Sequence, residues 1–144
     1  MSLETRLAEL RRSLDEAAAR RSFWGRLDAR LLELKEDRCV LAIQPNAERL
    51  NLAGWLHGGE AAAIIDQAAG IAANACPEGR WVTAETRIRY RAPLPGDRPL
   101  TCSADVQHRE HRRAHVAATL RPEGEADAAV TAELVFLRPK NAPR

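Results

Sequence analysis

Asn51-Leu-Ala-Gly-Trp-Leu-His57-Gly58-Gly59-Glu60 runs straight into Ala61-Ala-Ala-Ile-Ile-Asp66-Gln-Ala-Ala-Gly-Ile-Ala-Ala, and this stretch organises everything around it. A polar, glycine-rich turn opens a segment that is apolar almost all the way round. From Gly59 to Ala75 the only ionisable residues are Glu60, in the first turn, and Asp66, two turns in. A helix apolar on every face is normally buried inside its domain. A carboxylate buried without a partner costs several kcal/mol, a large part of a small domain's stability. The pattern therefore predicts a central buried helix and makes Asp66, which needs a partner or a function, the first functional candidate.

Outward from this helix the chain reads as sheet. On the N-terminal side, residues 3 to about 21 form an amphipathic helix, with Leu3, Leu7, Leu10 and Leu14 recurring at helical spacing and Glu4, Arg11, Arg12 and Asp15 opposite. It is expected to pack on the domain or at a subunit contact. Two strands are predicted at 25–35 and 38–44, with Pro45-Asn46 ending the second. Beyond Pro77-Glu-Gly the pattern alternates, and strands are predicted at 80–91, 100–107, 113–121 and 128–138. Thr83 shares strand parity with Glu85, Arg87 and Arg89, so an inward role for it requires a bulge or a place near the strand's edge. The last six residues, from Pro139, are expected to fray. The sum is an α+β domain at 23–140, an antiparallel sheet curled around one central helix, preceded by an extra N-terminal helix at 1–22. Alanines and Gly70 let the sheet approach that helix closely.

Composition restricts the partners. A chain of 144 residues is one domain. A net charge of +2 gives no general reason to expect nucleic acid. No run approaches the length of a transmembrane helix, and Met1–Ser13 carries no apolar signal segment. Cys39, Cys76 and Cys102 form no CxxC pair and fit free thiols in a reducing cytoplasm. Cys76, ending the central helix beside Pro77, reads as a small buried apolar residue rather than a nucleophile. His108, His111 and His115 have a metal-like spacing, but the arginines among them would repel a cation, and no metal is expected.

The Gly58-Gly59 opening leaves backbone N–H groups and the positive end of the helix dipole at a turn with little side-chain cover. Such an end can hold an anion or an oxyanion developing on a carbonyl. Gly58 and Asp66 are eight residues apart, about 12 Å along a helix, too far to act on one carbonyl within one subunit. If they share a reaction, each site combines Gly58 of one copy with Asp66 of another, in a symmetric dimer.

Asn51-x5-His57-Gly58-Gly59-x6-Asp66, followed by four strands that include Trp81-Val-Thr-Ala-Glu-Thr-Arg-Ile-Arg-Tyr and Pro93-Leu-Pro-Gly-Asp, resembles the hot-dog fold thioesterases. The resemblance spans roughly residues 31–139 and is nearest to the phenylacetate-pathway type and its medium- and long-chain acyl-CoA relatives. It implies hydrolysis of a coenzyme A thioester with no metal or organic cofactor. Asp66 would be the catalytic carboxylate, as base on water or as nucleophile through an anhydride. The Gly58 N–H would hold the oxyanion, Asn51 would orient thioester or water, His57 would support the turn or thioester, and Thr83 would help position water. Other branches of the fold place their acid near Glu60, which also reads as a first-turn Glu favoured by the dipole.

On the same reading Gly59 and Trp55 would border the substrate, and Arg87, Arg89, Arg112 and Arg113 would meet the phosphates of coenzyme A. Trp55 and Trp81 would line an acyl pocket or simply pack. The protein would be a homodimer, possibly a tetramer. Two other readings remain: a non-catalytic acyl-CoA-binding module that senses or regulates, with the N-terminal helix as its docking element, and a hydratase, whose His-x-x-Pro-Gly pattern this chain lacks.

Overall fold

A computed structural model describes residues 1–140; residues 141–144, part of the tail expected to fray, lie outside the described residues. Helix α1 (Leu3–Ala18) and the short α2 (Phe23–Leu27) lead into strands β1 (Ala29–Lys35) and β2 (Arg38–Ile43). A single 3-10 turn follows (Ala47–Arg49), then the long helix α3 (Gly58–Asn74), then β3 (Val82–Tyr90), β4 (Leu100–Glu110), β5 (Arg113–Pro122) and β6 (Val130–Leu137). The six strands form one antiparallel sheet in the order β1-β2-β4-β5-β6-β3. β3 returns beside β6 and so stands at one edge. Bulges at Leu31/Glu33, Thr83/Glu85 and Val106/His108 bend the sheet, because an extra residue on one strand increases local twist. The result is the expected hot-dog arrangement, a curled sheet around α3.

The core lies between α3 and the concave sheet face. Ile64, Ile65, Ala68 and Ala72 of α3 meet Leu41, Cys102, Val116, Leu120, Leu134 and Phe136, all buried. Strand alternation explains the sheet's contribution: on β5 every second residue from Ala114 to Leu120 is buried, and on β6 Val130, Ala132, Leu134 and Phe136 are. Truncating Ile65, which is fully buried, to alanine is expected to cost about 2–5 kcal/mol, read as a lower urea midpoint at unchanged slope.

Two expectations need correction. Residues 25–27 are helix and Asp28 is its cap, where strand is expected. Ser22 caps α2 by accepting the Gly25 N–H at 3.0 Å, and Asp28 ends it in the left-handed region at φ 50°. The helix buries Trp24 and Leu27 together, which a strand's alternation would not.

The second correction concerns α3, which is not covered all round. Gly59, Ala63, Asp66, Gln67 and Gly70 form an open stripe, and Asp66 is exposed rather than buried. The residues of this stripe are mostly small, so a face that the sheet leaves bare reads in sequence like a core face.

Helix α1 packs on the domain through Leu14, which is buried, and through Leu7, Leu10 and Ala17. Its Arg6 donates Nε–H to the Asn74 carbonyl at 2.9 Å, placing a cation at the C-terminal end of α3, where the helix dipole favours one. Gly79 at φ 41° leaves room for that arginine, since a Cβ there would lie 2.8 Å from Arg6 Nη2. No helix among the described residues is long and apolar enough to cross a membrane.

Candidate active site

The start of α3 is built by residues that flank it in sequence. Asn51 folds the approach into a tight turn: its Oδ1 accepts the N–H groups of Ala53 (2.9 Å) and Trp55 (3.1 Å), and its own N–H reaches the Trp55 carbonyl at 2.7 Å. Leu56 then pairs with Leu94 (2.9 Å) and His57 N–H with the Arg49 carbonyl (2.8 Å). His57 is the N-cap, its Nδ1 accepting the Gly59 N–H at 2.9 Å. Gly59 is small for a reason, because a Cβ there would sit 3.1 Å from the His57 ring. With Gly59 engaged, the Gly58 N–H remains a donor without an acceptor among the described residues, as expected for a first helical residue.

Beside this donor lies a cavity of about 330 Å³, bordered by Asn51, Trp55, Gly58, Ala61, Tyr90 and Leu94. Trp55 is 43% exposed and forms part of its wall. Trp81 does not belong here. It is buried against α3, donates its indole N–H to Cys76 Sγ at 3.4 Å, and carries the Arg138 guanidinium 5.0 Å from its ring. Cys76 is a packed thiol, as expected, and burial pushes the Cys39 thiol up to about 12.

Asp66 sits two turns along α3 on the open stripe. Thr83 donates its hydroxyl to Asp66 Oδ1 at 2.8 Å. The parity problem is solved by a bulge: Thr83 pairs with Phe136 but Glu85 with Val135, so Ala84 is the extra residue. Thr83 thereby joins the face of Thr86, Ile88 and Tyr90, whose partners Leu134, Ala132 and Val130 point at the helix. Glu85, Arg87 and Arg89 turn to the convex face instead. Asp66 Oδ2 has no partner among the described residues and is free to take a proton or attack an electrophile.

The arginines are not gathered around this pair. Arg87 pairs across the ladder with Glu133 (3.9 Å), and Arg89 lies opposite Thr131, both on the convex face, away from α3. Arg112 is spent on the Arg138 carbonyl, at 3.1 and 2.6 Å. Arg113 is exposed at the β4–β5 turn. His108 faces Glu110 at 2.7 Å and lies 6.0 Å from His115, ring to ring.

Two residues near the site carried no signal in the sequence reading. Arg49 is 6% exposed, with its guanidinium on the Arg26 carbonyl and 3.9 Å from Glu60, so Glu60 faces a buried cation. Tyr90 donates its hydroxyl to the Gly58 carbonyl at 2.7 Å. An alternation of apolar and charged residues marks a strand, but it does not say which inward tip reaches a helix start.

A curled sheet around one central helix defines a hot-dog domain, and along that helix lie a bare N–H at its start and an exposed, threonine-held carboxylate two turns on. The family model described as "Thioesterase superfamily" matches residues 53–129, and the chain belongs to that family. It is 30% identical over 103 residues to the acyl-coenzyme A thioesterase THEM4 of Rattus norvegicus, an alignment covering 72% of this chain and 44% of that protein. The chain thus spans less than half the length of this curated relative.

Among solved structures, a single-residue mutant of the phenylacetic acid degradation protein PaaI from Thermus thermophilus is similar at 26% identity and TM-score 0.75. That match covers 81% of this chain and 98% of the other. The E. coli PaaI protein shares the fold at TM-score 0.83 and 18% identity, covering 98% and 99%.

Proposed function

We propose that the protein is an acyl-CoA thioesterase, working in the cytoplasm as at least a dimer and hydrolysing a coenzyme A thioester to the free acid and CoA. The observation that carries this reading is the Thr83–Asp66 pair, held on an uncovered helix face next to an unpaired sheet edge. A carboxylate with one oxygen anchored and the other free suits a base acting on water, or the attacking oxygen itself. The Gly58 N–H, lying beside an apolar cavity, suits a thioester carbonyl whose oxygen gains charge. Family membership and the THEM4 similarity support the substrate class.

Association completes the site. β3 is an edge strand exposed along nearly its whole length, and the open stripe of α3 runs beside it. Such an edge is normally covered. A second copy related by a twofold axis would cover both surfaces at once and bring its Asp66 toward this copy's Gly58. Asn51 would then meet the thioester or the water, and Arg113, exposed at the sheet end near Thr83, is the better placed of the four arginines for CoA phosphates.

The test is thiol release from a panel of acyl-CoAs. Turnover of at least one member is expected, and binding without turnover would leave a sensing module instead. Thr83→Ala is expected to lower kcat about tenfold and Thr83→Ser to restore most of it, because only the hydroxyl is needed to hold Asp66 Oδ1. An unaltered Thr83→Ala enzyme would remove Thr83 from the site.

A further inference from the structure

The Gly58–Gly59 peptide is held at both ends. Its N–H, on Gly59, is taken by His57 Nδ1 at 2.9 Å, and its oxygen, on Gly58, accepts the Tyr90 hydroxyl at 2.7 Å. A first-turn carbonyl already has an acceptor role within the helix, so a second donor from a distant strand is an addition that helix geometry does not require. The tyrosine is itself well placed to resist movement. Its backbone pairs with Val130, and the next two residues, Arg91 and Ala92, both donate N–H to the Ala129 carbonyl at 2.8 and 3.1 Å. Its ring lies 3.5 Å from the point where a Gly58 Cβ would stand, so it packs against the glycine as well as bonding to it. Yet Tyr90 is 55% exposed, so core packing does not account for its presence.

We propose that Tyr90 is a positioning residue: by locking the Gly58–Gly59 peptide from the oxygen side, it fixes the direction of the adjoining Gly58 N–H toward the cavity. This rests on the thioester-hydrolase reading, in which that N–H stabilises the developing oxyanion. A donor aimed in advance stabilises charge without reorganising when the charge appears, and a donor that swings does not. The hydroxyl is engaged by the Gly58 carbonyl, and its effect runs through that peptide.

The experiment is a double-mutant cycle between Tyr90→Phe and Gly58→Pro, measured with an acyl-CoA that the wild type hydrolyses. Tyr90→Phe keeps the ring and deletes only the hydroxyl. It is expected to lower kcat about three- to tenfold, with KM changed less than about twofold and the urea midpoint lowered no more than the loss of one hydrogen bond explains. In the Gly58→Pro background, where the donor is absent, the same substitution is expected to change kcat no further. An unaltered kcat, a loss confined to KM, or an equal loss in both backgrounds would overturn the positioning role while leaving the hydrolase reading intact. A wild-type protein that hydrolyses no acyl-CoA would overturn both.

Discussion

Asp66→Asn is expected to reduce turnover about a thousandfold or more while leaving the fold untouched. The asparagine keeps the size of the side chain, and its amide oxygen can still accept the Thr83 hydroxyl that Asp66 Oδ1 accepts at 2.8 Å. What disappears is the second oxygen, the one free to take a proton or attack. Because Asp66 lies outside the core of its own subunit and asparagine keeps its size, the replacement is expected to leave the subunit fold and the contact between copies in place, read as unaltered thermal unfolding and an unaltered assembly size. Loss of activity with unaltered thermal unfolding therefore reports chemistry alone. Retention of more than about a tenth of wild-type kcat would remove Asp66 from the catalytic role.

The same residue marks what the sequence conveys and what it withholds. The His57-Gly58-Gly59 start, the eight-residue separation from Asp66 and the strands that follow were legible because each is local: turn chemistry, helical rise and strand alternation. The open stripe was not. Gly59, Ala63 and Gly70 are as small as the buried Ala68 and Ala72, and only the sheet's extent decides which of them it covers. Thr83 lay between the two cases, since its parity left open a bulge or a place near the strand's edge, and only the pairing of Phe136 and Val135 decides for a bulge at Ala84.

Helix α2 was hidden because it is only five residues long, too short for a helical period to stand out before the strand that follows. Arg49 and Tyr90 were invisible because their partners, Arg26, Glu60 and Gly58, are brought to them by tertiary structure. For the arginines of β3, charge pattern places Arg87 and Arg89 on one face, and only the sheet's curl shows that within one subunit this face turns away from α3.

Gly58→Pro is expected to lower kcat about a hundred- to a thousandfold, the usual effect of removing one oxyanion donor. Proline deletes the amide hydrogen at this position and disturbs little else. Gly58 is the first residue of α3, where proline is favoured because its missing N–H has no helical acceptor to lose. The preceding His57 stands at φ −60° and ψ 136°, the extended region that a residue before proline prefers. The added Cβ meets the Tyr90 ring at 3.5 Å, an ordinary contact. The variant should therefore fold and associate as the wild type does.

Its value lies in combination with Asp66→Asn. If each site takes Gly58 from one subunit and Asp66 from its partner, a mixed dimer of the two inactive variants holds one doubly altered site and one wholly intact site. Unfolding and refolding an equimolar mixture should then restore about a quarter of wild-type activity, since about half of the dimers are mixed and each has one working site of two. If both residues served a site within one chain, every site in every dimer would carry a lesion and mixing would restore nothing. The helical rise of about 12 Å between Gly58 and Asp66 favours recovery, because a single carbonyl cannot touch both ends of that span.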